Sequence, residues 1–356
     1  MNWRLDREWM KALVCHENGS IELMDRPIPV MKDDKDAIIE VTLSTICMSD
    51  LHIMHQTVPR AKPETVLGHE FTGRVMEVGS GVTNIKPGDR VAVNCITFCG
   101  ECYFCRNGYI NNCEKGGWEL GCRIDGCQAE YVRVPFADMG LTKIPDSVRD
   151  EEALFLGDIL SSGYFGADLA EIKPGDTVAV IGAGPVGLCA MMCAKLFGAS
   201  SIIAVDIDES RLQLALKQQL ADVVFNPAAC DIEEEIKKLT EGRGADGVIE
   251  AAGGRDTFSL AWKAARPNGV VALVAMYEEN QEFPLPKMYG KNLIFKTGGV
   301  DAVHCERLMR LIEAGKIQTN FLITHRAPLN DIVEGYRVFG NKEDGCIKWA
   351  VTPYER

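Results

Sequence analysis

The sequence predicts an α/β protein built from two kinds of region, a doubly wound domain on a parallel sheet and a β-rich part made of short strands. Two observations carry this. Residues 176–211 read DTVAVIGAGPVGLCAMMCAKLFGASSIIAVDIDESR, which is a strand, a glycine turn, a helix and a second strand in one pass. Residues 10 to about 85 read instead as IELMDRP, AIIEVTLSTI and FTGRVMEVG, short strands broken by Pro- and Gly-containing turns.

Residues 1–9 precede the first strand pattern, MKALV from Met10, and are expected to form a flexible leader. In the doubly wound part, residues 177–181 are β-branched and apolar, as suits a strand buried on both faces. Residues 185–197 follow with an apolar helical pattern that Gly198 closes. The turn between them is Gly182-Ala183-Gly184-Pro185-Val186-Gly187. Gly182 makes the tight turn, Gly184 admits a pyrophosphate to the backbone, and Gly187 lets the helix lie close on the strand. The helix N-terminus offers unpaired N–H groups to phosphates. A second strand at 202–205 ends in Asp206, whose carboxylate suits ribose hydroxyls and repels a 2′-phosphate, so NAD(H) is expected rather than NADP(H). Arg211 stands against this as a cation within reach of a phosphate, or else is an ordinary surface arginine beside Asp208 and Glu209. An apolar run at 270–277 is strand-length, and 292–296 reads as a last strand at the sheet edge.

The chain of 356 residues has room for two domains, and its net charge of −13 argues against nucleic acid or an anionic membrane as partner. No apolar run reaches membrane-spanning length and the first residues lack an apolar signal core, so a cytoplasmic protein acting on a small molecule is expected. In that compartment the 14 cysteines serve as metal ligands or buried thiols, not as a disulfide framework. Cys99, Cys102, Cys105 and Cys113 form C-x2-C-x2-C-x7-C, a spacing that suits a closed tetrahedral zinc site of structural role. An iron–sulfur run would place three residues before its last cysteine and a proline after it; here the gap is seven and Glu114 follows. Cys47 and His52 after one strand, with His69 and Glu70 before the next, supply the thiol, imidazole and carboxylate groups that zinc takes.

The stretch GHEFTGRVMEVGSGV, with Gly68, His69, Glu70, Gly73, Gly79 and Val82 in place, resembles the zinc signature of the zinc-containing medium-chain alcohol dehydrogenase family. The resemblance continues through KPGDRVAV, the cysteine cluster, KPGDTVAVIGAGPVG and GRGADGVIEAAGG. It implies a discontinuous GroES-like catalytic domain over 10–160 and 299–356, with a structural-zinc lobe at 95–115 and an inserted Rossmann domain over 161–298. It also implies a second, catalytic zinc held by Cys47, His69 and Asp158, the last in a position more often occupied by cysteine. Glu70 matches a carboxylate that swings toward the metal when substrate is absent. Ser162, Val274 and Met276 match positions near the nicotinamide, and Lys348 matches a basic residue near the pyrophosphate. Met48 stands where several relatives carry a basic residue.

By the same resemblance the reaction exchanges a hydride between an alcohol or ketone and NAD(H). Zinc acidifies the alcohol, and Ser49 and His52 relay its proton to solvent. Asp158 tilts the expectation toward secondary alcohols, with polyols of the sorbitol or butanediol type as the alternative. Residues 55–64, 96–98 and Trp118 are expected to shape the pocket, and the last sheet strand to pair across a homodimer or homotetramer. Two other readings compete. A zinc-free reductase would lack both ligand sets, and a non-catalytic nicotinamide-binding protein would have no use for Ser49 and His52.

Overall fold

A computed structural model describes residues 7–353, which fall into two compact units: the described residues up to Ser161 together with those from Asp301, and Ser162–Val300. The boundaries expected from sequence were 160/161 and 298/299. Residues 1–6 of the expected leader lie outside the described residues, but 7–9 belong to the fold. The first strand, β1, spans Trp9–Cys15, and Arg7 pairs with Glu130 at 2.9 Å.

In the first unit β1 pairs antiparallel with β2 (Ile21–Pro27), and the Asn-Gly-Ser turn between them is the local signal for that hairpin. The next strand, β3 (Ala37–Thr45), is buried along almost its whole length, as its β-branched composition requires of a central strand. The two-residue β4 (Thr65–Val66) joins β1, making a three-stranded sheet in the order β2-β1-β4. β5 (Phe71–Val78), β6 (Arg90–Val93), β7 (Tyr131–Val134) and β8 (Leu141–Lys143) build a second sheet around β3. Val41, Phe71, Val75, Val91, Val93, Leu120 and Val132 pack its interior. Each such side chain contributes about 1.5–3 kcal/mol by leaving water.

The second unit carries β9 (Thr177–Ile181), β10 (Ser201–Val205), β11 (Val223–Phe225), β12 (Ala245–Glu250), β13 (Ala265–Leu273) and β14 (Ile294–Thr297). All six pair in parallel, in the order β11-β10-β9-β12-β13-β14. This is the doubly wound order, with its switch point between β9 and β12. The expected strand at 270–277 stops at Leu273, and the last strand is indeed at the edge but begins at Ile294. The helix Pro185–Phe197 starts with proline at its first position and ends on Gly198 at φ 98°. Gly182 bends at φ 100°, and a Cβ on Gly187 would lie 1.8 Å from the Gly182 carbonyl oxygen, so the turn and the helix approach each require glycine.

After β14 the chain returns to the first unit. β15 (Ile323–Pro328) and β16 (Lys348–Thr352) extend the second sheet to β15-β16-β3-β5-β6-β8, with β7 on β3. Among the described residues no helix is long and apolar enough to cross a membrane.

Candidate metal centres and nucleotide site

Three loops bring the catalytic ligand candidates together. Cys47 follows β3 and is the N-cap of the helix Met48–Met54. Its backbone N–H donates to Asp50 at 2.9 Å, which fixes the turn that presents the thiol. His69 lies in the connection between β4 and β5, and Asp158 stands immediately before the helix Ile159–Leu169. All three residues are buried, at 9, 3 and 8 % exposure. Asp158 Oδ2 lies 3.3 Å from Cys47 Sγ and 3.3 Å from His69 Nε2. Donors around one tetrahedral zinc stand about 3.3–3.6 Å apart for S/O and N/O pairs, so the set fits zinc.

The electrostatics agree. Burial works against charge on His69, yet Asp50, Asp158 and Cys47 around it raise its pKa well above the ordinary imidazole value. Burial likewise opposes ionisation of Asp158, but His69 and Lys348 hold its carboxyl down at about 2. The pocket therefore favours a cation. His69 Nδ1 and Asp50 Oδ1 are both buried without a formed hydrogen bond and face each other across 3.2 Å. An imidazole bound to metal through Nε2 uses its other N–H on a carboxylate placed in this way.

Cys99, Cys102, Cys105 and Cys113 gather their sulfurs within 4.8 Å of one another. The Cys102–Cys105 and Cys99–Cys105 separations, 3.4 and 3.9 Å, bracket the roughly 3.8 Å of a tetrahedral four-thiolate zinc site. Backbone N–H groups of Cys99 and Lys115 point at Cys113 Sγ from 3.3 and 3.4 Å. Donation from the Cys105 and Glu114 backbones pulls the Cys102 thiol down to about 6. All 14 cysteines are free thiols.

Ser49 and His52 sit three residues apart on the helix that Cys47 caps. Ser49 Oγ lies 3.1 Å from His69 Nε2, beside the converging ligand atoms, and the half-buried His52 has Thr57 Oγ1 3.4 Å from its Nδ1. Trp118 packs edge-on to the His69 ring at 5.7 Å.

Glu70 and Lys348 depart from what the resemblance implied. Lys348 was expected at the pyrophosphate, but it is 1 % exposed and its ammonium donates to Glu70 at 2.5 Å and to the Ile46 carbonyl at 3.2 Å. A buried ammonium needs a carboxylate, and Glu70 supplies it. Glu70 also accepts from the Ile159 N–H at 3.2 Å, and burial pushes its carboxyl up to about 7. It is thus held from two sides under the metal centre.

In the second unit Asp206 follows β10 as expected. Its carboxylate accepts from the Ala183 N–H at 2.6 Å and the Asp208 N–H at 2.9 Å, tying the strand end to the glycine turn. Arg211 lies 3.7 Å from Asp208, and its guanidinium is 3.7 Å from where a Cβ on Gly184 would stand. Ser162 and Val274 are half-buried and Met276 is 44 % exposed. Sequence reasoning missed Asp50, although its place three residues after an N-cap cysteine is a capping-box signal.

Comparison with known proteins agrees with this geometry. The family described as "Alcohol dehydrogenase GroES-like domain" matches residues 33–146, and "Zinc-binding dehydrogenase" matches 185–307. An alcohol dehydrogenase of Cupriavidus necator is 40 % identical over 97 % of this chain and 99 % of its own length. The NADP-dependent isopropanol dehydrogenase of Thermoanaerobacter brockii is 36 % identical over 96 % of this chain and 99 % of its own. Among solved structures, the apo form of zinc dependent alcohol dehydrogenase 2 from Streptococcus pneumonia superposes with a TM-score of 0.91. It is 37 % identical, with 98 % of this chain and 99 % of that one covered.

Proposed function

Since this chain belongs to the zinc-containing medium-chain dehydrogenase/reductase family and is a zinc-dependent alcohol oxidoreductase using a nicotinamide cofactor, we propose that it interconverts secondary alcohols and ketones with NAD(H). The observation that carries the reading is the buried Cys47, His69 and Asp158 set, three protein donors at zinc-fitting distances. Three donors leave a fourth position for substrate, where bound zinc would supply Lewis-acid polarisation of the alcohol oxygen.

The residues around it have distinct tasks. Ser49 Oγ stands beside the ligand atoms and takes the hydroxyl proton. His52, one helical turn on, passes it outward. Trp118 gives the pocket an aromatic wall against His69, which suits a small or flat apolar substituent on the carbinol carbon. A secondary alcohol presents two such substituents. The name of the Thermoanaerobacter brockii relative supports this substrate class and points to the other cofactor. NAD is preferred here because the Asp206 carboxylate, anchored to Ala183, stands at the end of β10 and repels a 2′-phosphate. The second zinc belongs to the four cysteines and has a structural role. The exposed side chains of β14 and its approach, Phe283, Leu285, Tyr289 and Ile294, favour a homodimer or homotetramer joined at the sheet edge.

The test is turnover of primary, small secondary, polyol and cyclic alcohols with NAD and with NADP, before and after chelation. Chelator-sensitive, NAD-linked oxidation strongest for secondary alcohols is expected. A preference for primary alcohols, or turnover that survives loss of all zinc, would overturn it.

A further inference from the structure

The carboxylate behind His69 is itself held by two buried polar residues that take no part in the chemistry above. Asp50 Oδ2 accepts from the Gln128 side-chain amide at 3.3 Å, and Gln128 Oε1 accepts from the Tyr336 hydroxyl at 2.6 Å. Asp50 and Gln128 are 0 % exposed and Tyr336 is 3 % exposed. Gln128 follows the buried Cys127 just before β7, and Tyr336 sits on the helix Ile332–Asn341, 208 residues further along the chain.

The direction of this chain of bonds is forced. An ionised Asp50 only accepts, so the Gln128 NH2 must face it. That leaves the Gln128 carbonyl oxygen toward Tyr336, whose hydroxyl must donate. The same Asp50 Oδ2 accepts from the Cys47 N–H at 2.9 Å, while Oδ1 faces His69 Nδ1 at 3.2 Å. With Nδ1–H turned to Asp50, Nε2 would keep its lone pair for the metal. One carboxylate thus touches two of the three ligands, and Gln128 is the side chain that bonds it from behind.

Packing makes the same link. Gly68, next to His69, has φ 94°, and a Cβ there would stand 2.6 Å from Gln128 Cγ and 2.9 Å from Cys127 Sγ. The Gln128 N–H also donates to Leu67 O at 2.9 Å. The Gln128 side chain therefore presses against the backbone that presents His69 while its amide holds the carboxylate behind the imidazole.

We propose that Gln128 and Tyr336 are positioning residues that lock Asp50, and through it the ring orientation and tautomer of His69, so that the catalytic zinc is retained. The proposal rests on the reading of Cys47, His69 and Asp158 as the zinc site, and its test reads metal retention, independent of the substrate.

The experiment uses the zinc-loaded full-length protein and its Gln128→Leu and Tyr336→Phe variants. Zinc release into excess chromogenic chelator is followed in time. The four-cysteine zinc is counted separately, as the zinc that a mercurial still releases once the chelator-accessible zinc has gone. Gln128→Leu is expected to speed loss of the catalytic zinc about tenfold, the low end of the range for partners of metal-bound histidines, because it acts through Asp50. Tyr336→Phe removes one oxygen and keeps the ring, and is expected to speed it several-fold. The four-cysteine zinc should leave at an unchanged rate in both. In cobalt-substituted protein the visible bands of the Cys47 site should shift in Gln128→Leu. A general loosening of the fold would instead speed both releases together, and that outcome overturns the proposal. So does a catalytic-zinc release rate within twofold of native in both variants. Should Gln128→Leu fail to fold, Tyr336→Phe alone decides by the same criteria. A native protein that retains zinc only at its four cysteines would refute the catalytic-site reading itself, whatever the variants do.

Discussion

Replacing Gly157 by alanine tests whether the catalytic centre depends on the backbone approach that places Asp158. A Cβ at 157 would lie 1.8 Å from Val93 O, 2.7 Å from Val93 C and 3.0 Å from Asn94 Cα, all backbone atoms. Reaching even 3.0 Å from that oxygen demands a retreat of about 1.2 Å, from the 1.8 Å of the unrelaxed position. β6 is poorly able to move, because Val93 is 1 % exposed, pairs with Leu141 and packs in the core of the second sheet. The movement therefore falls on 157–158, whose carbonyl also accepts from the Cys95 N–H at 3.1 Å. Functional groups tolerate about 0.5 Å of displacement, and about 1 Å costs on the order of 100-fold in rate. Gly157→Ala should lower kcat/KM about 100-fold and stability by about 1–3 kcal/mol. Metal analysis after gel filtration should show loss of zinc that spares the four-cysteine site. The reasoning fails if Gly157→Ala keeps its full zinc complement and a kcat/KM within threefold of native.

Three further outcomes follow from the geometry. On the proposed preference for NAD, Asp206→Ser removes the carboxylate that accepts from Ala183 and would repel a 2′-phosphate, so the ratio of NADP to NAD in kcat/KM should rise at least about tenfold, or about 1.4 kcal/mol, in steady-state assays. Cys113→Ser deprives the lobe of the sulfur that the Cys99 and Lys115 N–H groups face, so limited proteolysis should cut within 95–115 faster while the catalytic zinc stays bound. His16 pairs with Glu64 at 3.0 Å and Glu22 at 3.3 Å, and the Glu64 hydrogen bond raises its pKa above 6.5. A raised value means that its stabilisation is complete below pH 6.5 and is lost as pH rises through the folded value. The difference in melting temperature between native and Glu64→Gln protein should therefore shrink across that window.

How much of this was legible in the sequence depends on how far apart the interacting groups lie. The strand at 177–181 and the helix at 185–197 begin and end in the structure where their patterns predict. Their signals, β-branched runs, an N-terminal proline and a closing glycine, act over a few residues. The four cysteines were equally readable, since all lie within one stretch of 15 residues. Residues 7–9 were misjudged because nothing local marks the Arg7–Glu130 pair, whose partner stands 123 positions away.

The polar groups behind the catalytic ligands show why spacing fails there. Lys348 opens β16 between Ile347 and Trp349, in a run where every position through Val351 is buried. An unaccompanied lysine in such a strand is a signal that a buried carboxylate must face it. The sequence does not say which carboxylate, and a resemblance to relatives directed this one to a phosphate. Its partner Glu70 lies 278 residues earlier, and the two meet because β16 pairs beside β3, with Ala350 opposite Thr45, so that the ammonium also reaches Ile46 at the strand's end. Gln128 and Tyr336 are harder still, because neutral side chains leave no charge to be balanced. Their need for partners appears only once burial is known, and burial follows from the sheet topology. Cys47 and His69 are thus visible as residue types and Asp158 only through the resemblance, whereas the groups behind them become visible only through the fold.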